Sequence, residues 1–412
     1  MYSTIASAAL LGFSAIAAAR PAMPAGYGSA HSSSTSSAAI SYSTGSSSSG
    51  QKAFDFPLSN GFPNITKGSQ TQQDIETQAH GQIPNQPPPP PPHADSLLSL
   101  GFVAFNELFE VAFFTELIYN ITNNLPGYDN VPNRNNVLEI LKIYQAQEEL
   151  HELNANFAFN AFTKETILPC EYIFPVAKFD DAIAFAAQFT DVVLSTLPDI
   201  QTIFAQSQDN GLIRGVGAVI GQEGEQDGFY RTLIGKPPAQ LPFLTQGARD
   251  FALSAIVQNA VVDGSCPSLS LLTNPDQVAT LKGAHPLKVF DVLTPVTDSK
   301  DFTIEKDITA TFKAVTAQSV YSTAFKPQSF AVQQTSGLFV TYLNQANVPV
   351  VVAPTSIDID SDGALIIEAS FPGQSKFLNG LTIVAITNAN VTSSPDAVAD
   401  ATLFGPALIE ID

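Results

Sequence analysis

The chain has 412 residues, and its 38 Asp and Glu outnumber its 18 Lys and Arg, so that the formal net charge is −20. This length suits about two or three domains of roughly 150 residues each. Binding to phosphate backbones or anionic membranes requires a surplus of Lys and Arg, which this chain lacks. We therefore expect no nucleic-acid partner. Beyond the N-terminus no apolar run reaches about 18 charge-free residues, and we expect no membrane span.

The N-terminal residues 1–20 have the pattern of a signal peptide. An apolar run from Ala8 to Phe13 is followed by the small residues at 17–19, and the stretch contains no acid. This pattern predicts a secreted, extracellular protein, which is compatible with a place in the cell wall. The stretch before the apolar run has no Lys or Arg, so a disordered apolar tail is the alternative interpretation.

Three sequons and two cysteines are compatible with secretion. The sequons begin at Asn64, Asn120 and Asn390, which are therefore candidate N-glycosylation sites. Cys170 and Cys266 are the only cysteines, and in an oxidising compartment they can form one disulfide that closes a long loop. Two buried thiols are the alternative.

Residues 21–94 have a composition that disfavours folding. Positions 29–50 are dominated by Ser, and six consecutive prolines occupy Pro87 to Pro92. Such segments bury too little apolar surface to fold, and consecutive prolines favour an extended polyproline conformation. We therefore interpret residues 21–94 as a disordered linker or stalk.

Residues 95–265 are predicted to form a helical bundle. Caps, apolar periodicity and proline positions place five helices, which run over 95–120, 132–164, 180–197, 212–234 and 246–262. The third is expected to end before Pro198. The link at 165–179 can reach roughly 50 Å when extended, whereas a thirty-residue helix is roughly 45 Å long. It is therefore long enough to return along the bundle as a long crossover.

The C-terminal part, residues 286–412, changes to strand-like alternation. Short segments rich in β-branched residues are separated by Pro, Gly, Asn and Asp, which predicts a β-sandwich of about seven or eight strands. The acidic stretch from Asp358 to Gly363 is similar to a calcium loop, but we interpret it as a hairpin turn between two strands.

Ionisable residues interrupt the apolar faces of three predicted helices at similar heights. Glu148 and His151 lie one turn apart on the second helix, Glu107 and Glu110 lie on the first, and Glu223 lies on the fourth. Buried ionisable groups are costly unless they are paired or bind a metal. These residues are expected to form either a metal site or a polar network that fixes helix register.

Two further acids of the second helix, Glu149 and Glu152, fall outside its apolar face. We interpret both as solvated surface residues. The third helix offers only Gln188 and Asp191.

Three stretches, 106–117, 147–153 and 221–231, resemble secreted fungal proteins with a ferritin-like domain. That family is linked to stress response and late sexual development and is related to desiccation-associated proteins. The resemblance covers about residues 95–265. It implies a mainly α, ferritin-like bundle with a long crossover, followed here by an all-β sandwich.

The resemblance also implies a metal site for iron or manganese. Metal-bearing ferritin-like bundles take a Glu from each of two helices and Glu-x-x-His from each of the other two. Glu148 and His151 match one such pair, and Gln226 stands where the His of the second pair, after Glu223, is expected. The first-helix Glu is matched by Glu107 or Glu110. The third-helix Glu has no clear counterpart beyond Asp191. The full candidate set is Glu107, Glu110, Glu148, His151, Glu223 and Gln226.

These features favour a secreted or wall-associated protein of stress response or development, with a site that either binds metal or has degenerated. One alternative is a metal-dependent oxidoreductase or a metal-storage protein. Another is a wall protein whose sandwich binds polysaccharide or a protein partner. Whether the protein is an enzyme is left open by the sequence.

Overall fold

The computed structural model describes residues 53–86, 89–315 and 337–411. The predicted signal peptide and the Ser-rich stretch at 29–50 lie outside the described residues. Helices occupy the first part of the described chain and two sheets the last part, which confirms the predicted order of the two. The α-helices are α1 Gln70–Gln78, α2 Ala94–Thr122, α3 Arg134–Thr163, α4 Phe179–Gln206, α5 Asn210–Leu233, α6 Arg249–Ala260, α7 Ser270–Thr273, α8 Pro275–Val278 and α9 Pro395–Ala401.

Helices α2 and α3 form an antiparallel pair. Near the end of α2, the Ile121 carbonyl accepts a hydrogen bond of 2.7 Å from the guanidinium of Arg134 at the start of α3. Further back along α2, Thr115 Oγ1 accepts a 2.6 Å bond from Gln145 Nε2. Residue numbers thus rise on one helix as they fall on the other. The middles of the two helices, which carry the candidate site residues, therefore lie at the same height.

The connection between α3 and α4 runs the length of the bundle. At its beginning, the side chain of Asn156 near the end of α3 bonds both the amide and the carbonyl of Ile167. At its end, the amide of Phe179 donates to the carbonyl of Gly127, in the loop that precedes α3. Helix α4 therefore starts beside the start of α3, and the two helices are parallel.

Helix α4 is longer than predicted. It continues from Phe179 to Gln206 with Pro198 inside it, whereas the proline was expected to end it. Proline removes one helical hydrogen bond and strains the preceding turn. The turns that follow bury Ile200 and Phe204 completely, and this apolar burial offsets that cost.

The segment 53–86 is folded, so the predicted disordered linker does not describe it. It contains α1, which Ser69 caps by accepting a hydrogen bond from the amide of Gln72. Phe62 is fully buried and Ile75 is 3% exposed, and both belong to the core of the bundle. A few large apolar side chains thus anchor a segment whose average composition is polar.

Helices α2 and α4 are each long and apolar enough to cross a membrane, judged by length and composition alone. In their most apolar windows, 89% and 83% of the residues are buried within the fold. Packing inside the bundle accounts for the apolar character of both helices.

The described residues of the C-terminal part form two antiparallel four-stranded sheets, with strand orders β1-β2-β6-β5 and β4-β3-β7-β8. Phe312 and Phe371 from the first sheet meet Tyr342 from the second, with ring centroids 6.5 and 5.5 Å away, respectively. The sheets therefore enclose a shared core. The strands are β1 Val292–Pro295, β2 Ile308–Val315, β3 Phe339–Asn344, β4 Val350–Val352, β5 Ser356–Ile359, β6 Leu365–Phe371, β7 Gly380–Thr387 and β8 Thr402–Ile411.

The acidic stretch between β5 and β6 is a hairpin turn. Asp360 Oδ1 accepts hydrogen bonds of 2.9 Å from the amides of Asp362 and Ala364. Its other oxygen lies 2.7 Å from Lys313 Nζ. One carboxylate oxygen of Asp360 therefore holds the turn, and the other pairs with Lys313 on the neighbouring strand.

The cysteines and the sequons are placed as follows. Cys170, in the crossover, and Cys266, after α6, are joined by a disulfide across 96 positions of sequence. Asn64 and Asn390 are exposed, whereas Asn120 is only 8% exposed at the end of α2. A glycan does not fit on Asn120 in this fold, because its side chain is packed inside the protein.

Candidate metal centre

Three helices bring four side chains together in the middle of the bundle. Glu107 comes from α2, Glu148 and His151 from α3, and Glu223 from α5. Residues three apart on a helix lie on one face, so Glu148 and His151 both point towards the other two helices. One nitrogen or oxygen of each side chain lies within 4.8 Å of its counterpart in each of the other three. We call these four residues the acidic cluster.

His151 lies between the three carboxylates. Its Nδ1 is 2.8 Å from Glu148 Oε2, 3.6 Å from Glu107 Oε2 and 3.7 Å from Glu223 Oε1. Only the first distance is that of a hydrogen bond. One imidazole nitrogen therefore faces three carboxylates at once but hydrogen-bonds only one of them.

The carboxylates of the acidic cluster are buried and incompletely hydrogen-bonded. Glu107 and Glu223 are each 1% exposed, and Glu148 is fully buried. Both carboxyl oxygens of Glu107 and Oε1 of Glu223 have no hydrogen-bond partner among the described residues. Buried polar atoms are normally hydrogen-bonded, and leaving one unpaired costs about 1–3 kcal/mol, or more when it is charged. Three carboxyl oxygens of the cluster are therefore available to bind a metal ion.

The electrostatics of the cluster favour an additional positive charge. Burial raises the pKa of Glu107 to about 7 against the lowering effect of His151. Burial and the nearby Glu148 raise the pKa of Glu223 well above its usual range. Burial lowers the pKa of His151, but Glu148 and Glu107 outweigh this and raise it well above its usual range. Without a cation, Glu107 and Glu223 therefore hold protons to a higher pH than ordinary carboxyls do, and a bound divalent ion would replace those protons.

Two further candidate residues, Gln226 and Glu110, lie beside the acidic cluster. Gln226 Nε2 donates to Glu148 Oε1, and Gln226 Oε1 accepts a 2.6 Å hydrogen bond from Tyr230 Oη. Glu110 is 7% exposed, and its Oε2 has no partner among the described residues. Burial, reinforced by Glu107 and Glu148, raises the pKa of Glu110 well above its usual range. Glu110 and Gln226 line the same small cavity.

Helix α4 contributes no carboxylate to the acidic cluster. Asp191 Oδ2 instead accepts a 2.7 Å hydrogen bond from Gln240 Nε2, in the chain that follows α5. Where α4 lines the cavity beside Glu110, it does so with Thr190 and with apolar residues. Within the part of the chain that the structure describes, the ligand set of the cluster therefore comes from α2, α3 and α5 alone.

The prediction that Glu149 and Glu152 are solvated is wrong. They are 3% and 0% exposed, respectively. Asn60 of the N-terminal segment donates to both oxygens of Glu149, at 3.1 and 2.9 Å, and Asn156 donates to Glu152 at 2.7 Å. Burial raises the pKa of Glu149 to about 7 and that of Glu152 to about 8.

One sequence signal was available for these two acids. Neither has a Lys or Arg three or four positions away on α3, although such partners are common for acids on solvated helix faces.

No protein-family model matches the chain, and no curated protein matches it. The kind of metal that the cluster suits is therefore judged from its side chains alone. Three carboxylates and one imidazole suit divalent first-row metals such as manganese and iron, for which oxygen and imidazole donors are typical.

Proposed function

We propose that the protein is a metal-binding protein that holds iron or manganese at Glu107, Glu148, His151 and Glu223. The observation that carries this proposal is the convergence of four ligand groups from three helices, with buried carboxylate oxygens that lack partners. A structural polar network would satisfy its own hydrogen bonds, and this cluster leaves three carboxyl oxygens unpaired.

The proposal extends to a ferritin-like bundle. It is supported by four long helices, α2 to α5, by the antiparallel pairing of α2 with α3, and by a connection from α3 to α4 that spans the bundle. Ligands at mid-height on facing helices are also typical of such bundles. The departures are the absence of a ligand from α4 and the Gln at position 226.

We further propose an extracellular setting, with a role in stress response or development. The disulfide between Cys170 and Cys266 supports an oxidising compartment. Storage of the metal, or redox chemistry on it, is the next proposal to test once binding is measured. The alternative of polysaccharide binding has less support, because Tyr342, the one tyrosine in the described part of the sandwich, is fully buried.

Metal binding is tested by titrating metal-free protein with Mn(II), and with Fe(II) under anaerobic conditions. Calorimetry monitors each titration and gives the dissociation constant. Glu107→Gln removes one ligand charge at nearly constant volume. We expect it to weaken binding by roughly a hundredfold or more, beyond the 10–100-fold typical of residues that only support ligands. Glu116→Gln is the matched control, since Glu116 is a half-buried acid of the same helix that hydrogen-bonds Asn120 outside the cluster.

Equal binding by wild type and Glu107→Gln would overturn the assigned ligand set. Absence of binding in the folded wild-type protein would overturn the proposed function. In that case the acidic cluster would be a structural polar network.

A further inference from the structure

We infer that the acidic cluster holds one divalent ion rather than two, and that Tyr230, acting through Gln226, fixes this number. The inference rests on the proposed metal-binding function and adds to it the nuclearity of the site. Two-metal sites place their ions about 3.5–4 Å apart and need ligands that serve both ions. The hydrogen bonds around Glu148 decide whether such a ligand exists.

The orientation of the Gln226 amide is set by its two neighbours. Tyr230 Oη donates a 2.6 Å hydrogen bond to Gln226 Oε1, so the amide NH2 group points at Glu148 Oε1. In the opposite orientation the amide oxygen would face a carboxylate oxygen, and two acceptors in contact repel each other. Tyr230 and Gln226 are each no more than 1% exposed, so no solvent is available to satisfy that arrangement.

This arrangement leaves Glu148 only one oxygen for a metal. Oε1 accepts from Gln226, while Oε2 faces His151 at 2.8 Å on the side of the acidic cluster. A carboxylate that bridges two ions with one oxygen on each needs both oxygens free. An amide NH2 group is a donor and does not ligate a cation. The position next to Gln226 is therefore closed to a second ion, although Glu110 offers an unpaired oxygen on the same cavity.

The size of the acidic cluster agrees with one ion. Its four ligand atoms all lie within 4.8 Å of one another. Oxygen and nitrogen ligands about 2.0–2.2 Å from a metal are separated by at most about 4.4 Å across it. A small inward movement of the side chains thus closes the set around a single centre, and no second group of this kind is found among the described residues.

The experiment counts ions per chain. Folded wild type and variants are loaded with excess Mn(II) and gel-filtered, and their manganese is measured by mass spectrometry and by electron paramagnetic resonance. We expect one ion per wild-type chain with the six-line spectrum of an isolated Mn(II). Gln226→Glu should bind two ions with an exchange-coupled spectrum, because it supplies a carboxylate beside Glu110. Gln222→Glu is the control on the same helix and should still bind one ion per chain, since Gln222 hydrogen-bonds Gln147 outside the cluster.

Tyr230→Phe tests the role of the phenol. It frees the Gln226 amide to turn its oxygen towards the cavity, and we expect the count to rise above one under the same excess of Mn(II). A count of one in Tyr230→Phe together with two in Gln226→Glu would overturn the part assigned to Tyr230. If Gln226→Glu does not fold, Gln226→His makes the same test with a neutral ligand.

The outcomes separate this inference from the proposed function. Two coupled ions in wild type would overturn the inference and leave metal binding intact. One ion in wild type and one in a folded Gln226→Glu variant would overturn the role of Gln226. No ion in wild type would overturn the proposed function, and the inference with it.

Discussion

Replacement of Glu149 by Gln should remove part of the pH dependence of the stability of the metal-free protein. Glu149 lies on α3, is 3% exposed, and accepts two hydrogen bonds from Asn60. Gln has nearly the same shape, and its side-chain oxygen can still accept from Asn60. The substitution therefore deletes the ionisation and keeps most of the packing.

The expected magnitude follows from the pKa. Burial raises the pKa of Glu149 from 4.5 to about 7. Between these two values the folded protein binds more protons than the unfolded chain, so the free energy of unfolding falls as the pH rises. A shift of about 2.5 units corresponds to about 3 kcal/mol, an order-of-magnitude figure. This stability is present below pH 4.5 and is lost by about pH 8.

The measurement is urea unfolding at several pH values from 4.5 to 8 in the presence of a chelator. Circular dichroism at the helical band is the appropriate signal, because the chain contains no Trp. We expect wild type to lose about 3 kcal/mol more than Glu149→Gln over this range. Glu139→Gln, at an exposed position on the same helix, should behave as wild type. Parallel pH profiles for wild type and Glu149→Gln would refute the argument that burial perturbs this acid.

The remaining predictions concern folding and modification. Phe62→Ala should lower the free energy of unfolding by about 3–5 kcal/mol in the same urea assay, because it opens a cavity at a fully buried position; an unchanged midpoint would show that segment 53–86 is not part of the core. Cys170→Ser, which removes the disulfide to Cys266, should cost about 4–5 kcal/mol because a loop of 96 positions is released, and a loss below 1 kcal/mol would contradict this. In a glycosylating host, peptide mapping should find glycan on exposed Asn64 and none on buried Asn120.

Helix positions were predictable from the sequence because local signals mark them. The second predicted helix, 132–164, is observed as Arg134–Thr163, and the fourth, 212–234, as Asn210–Leu233. Periodicity and breaking residues act locally, so one sequence is enough to detect them. The extension of α4 through Pro198 depends instead on burial against other elements, which no local signal reports.

The sequence predicted that ionisable residues would meet in the middle of the bundle, but it did not fix which residues these would be. The mid-helix positions of Glu148, His151 and Glu223 indicated that they would meet. The sequence could not choose between Glu107 and Glu110, because α2 is apolar nearly all round and has no clear inward face; the structure places Glu107 in the cluster. The burial of Glu149 was missed because its cover comes from a segment 89 positions away, and only tertiary structure reveals that contact.

The packing of segment 53–86 against α3 determines what proteolysis of the folded protein would produce. Residues 84–86 are exposed, whereas Phe62 and Ile75 upstream are held in the core. A cut at 84–86 would break the chain without releasing the piece that carries Asn60 and α1. Native gel filtration would report an intact particle, while a denaturing gel would show two fragments. The segment that shields Glu149 from solvent would then remain bound as a separate, non-covalently held peptide.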